Sequence, residues 1–326
     1  MIANRMNLRV LGSTTAIAAV AAIGLAAQPV HAVDWGGVDT HSIFVFHPGQ
    51  ASWEWVLTPG DHRRRAVERF RDEGRNCQYC HRHEMDLLAV IATGDGDAPE
   101  PYPFDHRPGV VDLDVQASHD GERMYWRFSW DAQSDGGDPM DADHPARVTV
   151  FFASDAVREA TRAGCWGACH DDQRGMESDT DALDLTMYLA ASRTQITRSG
   201  GGENYRSDSE LAELISDGHF LEYWQARLTA DGGVLPVDGY ILERRHESDS
   251  PAVEVELEEN GDRRVVTISR TLAADADTRI DLESGNTYHG GFALHEGGTK
   301  GRFHYVSMEY SFSIDSDQGD IAVMGQ

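Results

Sequence analysis

Four cysteines are the residues whose types and spacing point most directly to chemistry, and the first two lie in Cys77-Gln78-Tyr79-Cys80-His81. The C-x-x-C-H pattern is typical of c-type haem attachment: both thiols add to haem vinyl groups, and the histidine takes an axial position on iron. A disulfide, half of a zinc site and a redox-active C-x-x-C are the alternatives. A thioredoxin-like motif is expected near a βαβ pattern, which this sequence does not show, and only haem requires the adjacent histidine. The pentapeptide predicts covalent haem with His81 as iron ligand.

The other two cysteines, Cys165 and Cys169, precede His170 in a C-x-x-x-C-H pattern that is one residue longer. A disulfide is the simplest alternative, and a zinc site built from both cysteine pairs would leave both histidines without a role. Three features favour a second haem: the adjacent His170, the use of all four cysteines in two Cys-Cys-His units, and export to an oxidising compartment. We therefore predict two covalently bound haem c groups, with His81 and His170 on iron.

Residues 1–32 have the pattern of a secretory signal peptide. Arg5 and Arg9 form a basic start, an Ala-rich apolar run follows, and Val30-His31-Ala32 is a small-residue cleavage site. An uncleaved membrane anchor is the alternative, since the apolar run is near the minimum length for a span. We predict cleavage after Ala32, a periplasmic location and no stable membrane insertion after cleavage.

The formal net charge of −27 limits the partners of this chain. Such an acidic chain repels nucleic acid and anionic lipid, so neither is an expected partner. Lys300 is the only lysine, while arginine and acidic residues are abundant. That usage favours adaptation to strong salt, as in a halophilic organism, over a dedicated docking patch for a basic redox partner.

Alternating apolar and polar residues predict a mainly β chain from about residue 106 onward. Turns at Asp120-Gly121 and Asn260-Gly261 predict two β-hairpins, and residues 303–314 predict one long final strand. Helices are expected only as insertions, at 155–163 and 209–217. We predict an antiparallel β-sandwich over residues 106–326 that carries the second motif, preceded by a small helical haem-c module over residues 33–105.

Several stretches together resemble bacterial exported dihaem cytochromes that contain an ethylbenzene-dehydrogenase-type haem-binding domain. They are residues 46–55, the first motif, residues 164–172, residues 291–295 and residues 302–307. The domain is similar to the haem subunit of type II dimethyl-sulfoxide-reductase-family molybdenum enzymes, so the resemblance implies an immunoglobulin-like sandwich and electron transfer. Those subunits hold a b-type haem through Met and Lys, whereas Cys165, Cys169 and His170 indicate covalent attachment here.

The second axial ligand of each iron is not fixed by the motifs. For the first haem, His62 is the leading candidate because it begins a predicted helix that runs into the motif, and His47 is the second. For the second haem, His295 leads because glycines flank it on both sides. Lower-ranked candidates for this haem are His304, Met176 and Lys300, of which Lys300 gains support from the Met and Lys ligation of the similar domain.

These features predict a periplasmic dihaem cytochrome that relays single electrons between redox proteins, such as a membrane quinol-oxidising cytochrome or a terminal oxidoreductase. The alternatives are a haem enzyme with one open iron site, such as a peroxidase or oxyanion reductase, and an electron-transfer subunit of a molybdenum oxidoreductase. No sequence feature selects a catalytic acid or base, so an electron carrier is favoured over an enzyme. The sequence does not indicate an oligomeric state.

Overall fold

The computed structural model describes residues 33–46, 65, 68–69, 72–81, 110–132, 141–167, 169–170, 187–195, 204–296 and 304–326. All of them belong to one compact unit, Val33–Gln326. Strands dominate this part of the chain, which confirms the mainly β fold class. None of the described helices has the length and apolar character needed to cross a membrane.

Fifteen strands occur in the described residues. In chain order they are β1 (His41–Phe46), β2 (Val110–His119), β3 (Arg123–Asp131), β4 (Ala146–Ala153), β5 (Cys169–His170), β6 (Met187–Tyr188), β7 (Leu221–Leu228), β8 (Val234–Ile241), β9 (Arg245–Glu247), β10 (Glu254–Asn260), β11 (Arg263–Thr271), β12 (Thr287–His295), β13 (Tyr305–Val306), β14 (Tyr310–Ile314) and β15 (Ile321–Gly325).

The described helices are short. They are α1 (Cys77–His81), α2 (Arg158–Ala163) and α3 (Asp208–Ser216), with 3₁₀ turns at Trp35–Gly37, Gly164–Gly167 and Ala190–Ser192. A capping box begins α3, because the Ser207 side chain accepts from the Glu210 backbone and the Glu210 side chain accepts from the Ser207 backbone. The predicted insertion helices are thus confirmed, with α2 beginning three residues later than expected.

Thirteen of the described strands form one hydrogen-bonded sheet that consists of two halves. The β2 half has the order β10-β11-β3-β2, and the β12 half has the order β12-β4-β7-β8-β9. Two pairs of strands connect the halves. In the first pair, β1 lies beside β2, β13 lies beside β12, and β1 and β13 pair with each other. In the second pair, β15 lies beside β2, β14 lies beside β12, and β14 and β15 pair in parallel. Strands β5 and β6 pair separately.

The main hydrophobic core lies between the two halves. Trp126 on β3 is fully buried and contacts Phe292 on β12 and Phe312 on β14 edge to face, with ring centroids 5.6 Å and 5.1 Å apart. Such aromatic pairs contribute about 0.5–1.5 kcal/mol beyond the burial of their area. The side chains of β12 alternate, so that Phe292 faces this main core while Ala293 faces a second apolar cluster on the other side of the β12 half.

Both predicted hairpins are confirmed, as β2–β3 around Asp120-Gly121 and β10–β11 around Asn260-Gly261. The prediction of one long strand over 303–314 is wrong, because Ser307–Glu309 interrupts it between β13 and β14. Strand β1, within the range assigned to the helical module, pairs with β2 and β13 of the sheet. The proposed boundary near residue 105 lies outside the described residues and stays a prediction.

Candidate functional site

The first Cys-Cys-His motif forms a single turn of helix, α1. The turn begins where the Asn76 side chain accepts a 2.8 Å hydrogen bond from the backbone N–H of Tyr79, as a helix N-cap does. Within such a turn, residues three and four apart lie on one face, which places Cys80 and His81 beside Cys77. Cys77 is buried and Cys80 is exposed, so this face extends from the protein interior to solvent.

Buried hydrogen bonds attach α1 to a segment far away in sequence. The backbone N–H of Gln78 donates to Glu309 Oε1 at 2.9 Å, and the Gln78 side-chain amide donates to the Glu309 carbonyl. Burial, with the nearby charges of Glu309 and Cys80, raises the pKa of the Cys77 thiol. These contacts hold α1 against the interruption between β13 and β14.

The second motif begins where α2 ends. The backbone of Gly164 adopts φ 54° and ψ −130°, and the 3₁₀ turn Gly164–Gly167 follows before β5. This turn takes up the additional residue of the C-x-x-x-C-H spacing. Cys169 and His170 form β5, which pairs with β6. The side chains of Cys169 and His170 lie outside the described part of the structure.

Cys165 is buried in the second apolar cluster, against the β12 half. Its thiol donates a 3.0 Å hydrogen bond to the carbonyl of Phe292, and burial raises the pKa of the thiol despite an opposing backbone hydrogen bond from Ser307. A Cβ at Gly291 would lie 2.9 Å from the Cys165 backbone nitrogen, so glycine is needed for this close approach. None of Cys77, Cys80 and Cys165 takes part in a disulfide, so neither motif is closed by one.

The two motifs meet on one three-residue segment, Ser307–Glu309. Ser307 contacts Cys165 and also donates its backbone N–H to Phe292, while Glu309 holds Gln78 of α1. The lead-in segments lie close together as well, because an Arg162 guanidinium nitrogen is 3.8 Å from the position of a Cβ on Gly74. The structure therefore places the two predicted haem-attachment turns side by side.

His295 and His304 lie next to each other near the second motif. Their rings stack with centroids 4.1 Å apart and an angle of 10° between the planes. Because side chains alternate along a strand, His295 lies on the same side of β12 as Gly291 and Ala293, which is the side that carries Cys165. His295 is four residues from Gly291, or about 13 Å along the strand.

Other predicted ligands lie outside the described residues, namely His47, His62, Met176 and Lys300. Sequence reasoning missed Ser307–Glu309 altogether, since the alternation of residues 303–314 favours an uninterrupted strand. It also missed the role of Gly291, one of the glycines near His295, which admits the Cys165 backbone. Neither contact leaves a local pattern, because the partners are far apart in sequence.

Comparisons with known proteins show which family this chain is similar to. The family model for ethylbenzene dehydrogenase matches residues 90–265, more than half of the chain. Cytochrome c-552 of Stutzerimonas stutzeri is 31% identical over 320 residues, covering 96% of this chain and 98% of that protein. Cytochrome c-551 of Rhodocyclus tenuis is 26% identical over 298 residues, covering 90% and 100%.

These relatives support covalently bound haem c and electron transfer in the present chain. The Cys-Cys-His motifs contain the residue types that such a cofactor requires. The chain therefore belongs to the ethylbenzene dehydrogenase family, as a c-type cytochrome that contains the haem-binding domain of that family.

Proposed function

We propose that the chain is an exported dihaem cytochrome c that relays single electrons between redox proteins. The observation that carries the proposal is the meeting of the two Cys-Cys-His turns on Ser307–Glu309. Haem bound at each turn supplies reversible one-electron oxidation and reduction. Two attachment turns that share one anchor place two such groups close together, which is the arrangement a relay needs.

In this proposal Cys77 and Cys80 hold the first haem, and Cys165 and Cys169 hold the second. His81 and His170 are the proximal iron ligands. Cys77 and Cys165 are both buried, so the chain excludes water from one side of each attachment. Cys80 on α1 is exposed, which leaves one edge of the first site open to a partner.

We also propose a location, redox partners and a domain arrangement for the chain. The chain acts in the periplasm after cleavage of residues 1–32, with a membrane quinol-oxidising cytochrome or a terminal oxidoreductase as partner. Residues 33–105 provide the helical haem-c module, and the remainder is an immunoglobulin-like sandwich around the second haem. Two facing halves of sheet with one core between them support the sandwich.

The covalent haem count tests the proposal directly. We expect the denatured mature chain to carry the mass of two haems, because thioether bonds survive denaturation whereas disulfides and metal ions add no such mass. Cys77→Ala with Cys80→Ala should remove one haem, and Cys165→Ala with Cys169→Ala should remove the other. Mass spectrometry of the three denatured proteins measures this. A mature wild-type chain with one haem or none would refute the dihaem relay.

His295 is the proposed second axial ligand at the second motif. In His295→Ala, the optical spectrum of one haem should change, and the reduced variant should bind CO at that iron because a strong ligand is lost. His289→Ala is the matched control, since His289 lies on the same strand and side but pairs with Asp155 at 2.8 Å. A change in His304→Ala together with an unaltered spectrum in His295→Ala would instead assign the position to His304.

A further inference from the structure

A cavity of about 440 Å³ lies beside the second motif. We call it the arginine cavity, because its lining includes Arg158, Arg193 and Arg206, together with His219 and Glu159. Its volume falls within the usual range of about 300–1,000 Å³ for small-molecule sites. The described residues of the two Cys-Cys-His motifs are not part of this lining.

The charge of the arginine cavity is opposite to that of the whole chain. The chain has a formal net charge of −27, whereas the cavity gathers three guanidinium groups around one carboxyl group. Burial raises the pKa of the Glu159 carboxyl, although the nearby charge of His219 opposes the shift. Cationic groups gathered in a concave surface concentrate their field there, so the cavity attracts anions.

Arg193 is fixed in place before any ligand binds. Its side chain is buried, with the guanidinium carbon 3.8 Å from the Tyr188 ring centroid and 4.3 Å from that of Tyr205. One terminal nitrogen, Nη1, donates to Ser192 Oγ at 2.8 Å and to the Glu243 carbonyl at 3.1 Å. A guanidinium held in this way loses little freedom when it binds a planar anion.

Arg206 and His219 are also oriented by the fold. Arg206 donates from Nε to the Ala191 carbonyl at 2.7 Å and from Nη1 to Glu210 at 3.2 Å. His219 Nε2 is 4.0 Å from Glu159 Oε2, and this buried nitrogen has no hydrogen-bond partner within the described part of the chain. A buried ring nitrogen without a partner is costly, and an anion in the cavity would accept a hydrogen bond from it.

The arginine cavity adjoins the second motif on two sides. Arg158 begins α2, which ends directly before Gly164 and Cys165. Arg193 of the lining stacks on the ring of Tyr188, and Tyr188 is the strand partner of Cys169. The segment that enters the motif thus contributes to the cavity wall, and the strand that pairs with the motif contacts that wall through Arg193.

We propose that the arginine cavity binds a carboxylate- or phosphate-type anion through Arg158, Arg193 and Arg206. Two sources supply this chemistry: a small free anion, or a propionate of the haem at the second motif. The second source rests on the proposed function, whereas the first does not. Guanidinium groups suit either source because their paired N–H groups match the two oxygens of such an anion.

The first arm of the test uses inorganic phosphate and succinate as probes. Each is titrated into the full holoprotein by calorimetry, in low salt, with wild type, Arg158→Gln and Arg206→Gln. If the ligand is a free anion, we expect binding in wild type and a loss of about tenfold or more in each variant. Arg127→Gln, remote on β3, is the control and should bind as wild type does. Arg158 is exposed and Arg206 is half-buried, so neither substitution removes a side chain from the hydrophobic core.

The second arm is a redox titration of the same proteins, followed by optical spectra. If a haem propionate fills the cavity, the probes should not bind, and the reduction potential of one haem should fall in both arginine variants. Loss of a nearby cation disfavours the reduced form, which carries less positive charge. The other haem and the Arg127→Gln protein should be unchanged.

Absence of both effects would overturn the proposal. Its failure is separable from failure of the dihaem relay, since the haem count of the denatured chain is measured independently of anion binding and of either potential. A chain that carries two haems but shows neither probe binding nor a shifted potential keeps its relay function and loses the anion site.

Discussion

Gly164→Ala is expected to destabilise the protein and to reduce haem attachment at the second motif. At φ 54° and ψ −130°, Gly164 has a backbone conformation that disfavours any side chain, with a strain of about 1–3 kcal/mol. A Cβ there would also lie 2.6 Å from the Glu309 backbone nitrogen, and overpacking of this kind costs about 1–3 kcal/mol. The clash falls on the segment that both motifs share.

Urea unfolding and the denatured mass measure the two effects in Gly164→Ala. Gly285→Ala is the matched control, because Gly285 also has a positive φ of 84° but a Cβ there meets nothing within 4 Å. Gly285→Ala should lose only the stability that the backbone strain costs, and it should keep its full haem content. Equal loss of stability in the two variants, with normal haem in both, would show that Gly164 does not position the second motif.

Arg270→Met should lower the free energy of unfolding by about 3–5 kcal/mol, because it leaves a buried carboxyl group without its cation. Arg270 and Glu222 are almost completely buried, with Arg270 Nε 3.4 Å from Glu222 Oε1. Arg270 also donates to the Ile280 carbonyl at 2.7 Å and lies over the Trp224 ring. Arg127→Met is the control, because its partner Glu258 is exposed and such pairs contribute only about 0–1 kcal/mol.

The loss in Arg270→Met should depend on pH in a defined direction. Burial raises the pKa of Glu222, and the charge of Arg270 opposes this shift, so removal of Arg270 raises the pKa further. A carboxyl group whose pKa is higher in the folded than in the unfolded state stabilises the folded state at low pH. This contribution to stability is lost as pH rises from the unfolded pKa to the folded pKa. The loss in free energy of unfolding relative to wild type should therefore be larger at pH 8 than at pH 5.

Urea unfolding at both pH values measures this difference. The double variant Arg270→Met with Glu222→Gln should recover part of the loss, since glutamine carries no charge and its single carbonyl oxygen still accepts from either Trp224 Nε1 or the Ile280 N–H. A deficit that is the same at pH 5 and pH 8, with no recovery in the double variant, would show that lost packing rather than an uncompensated carboxylate causes it.

The elements that the sequence predicts are those with a local cause. The turns at Asp120-Gly121 and Asn260-Gly261 join residues that are close in the chain, so their composition alone indicates both hairpins. Strand β12 has no such signal, because Gly290 and Gly291 disfavour a strand in isolation. The sheet accepts them because β4 and the Cys165 backbone approach closely there.

The residues of the site likewise fall into two groups, those that are evident in the sequence and those that are not. The attachment residues form two short motifs and are evident in the sequence, and the family comparisons support the cofactor they imply. The residues that position those motifs are not evident, because the bond between Gln78 and Glu309 joins residues 231 positions apart. Arg193 shows the same limit, since its role beside Tyr188 and Tyr205 follows only from the folded arrangement.

The shared anchor also determines the order in which the site can be completed. Both Cys-Cys-His motifs precede Ser307–Glu309 in the chain, so they leave the ribosome first. Until Glu309 and Ser307 arrive, Gln78 lacks its partner and the Cys165 thiol lacks its pocket, and contacts across such long separations form slowly. The cysteines are consequently accessible to attachment chemistry for an interval that closes when the C-terminal strands join the sheet.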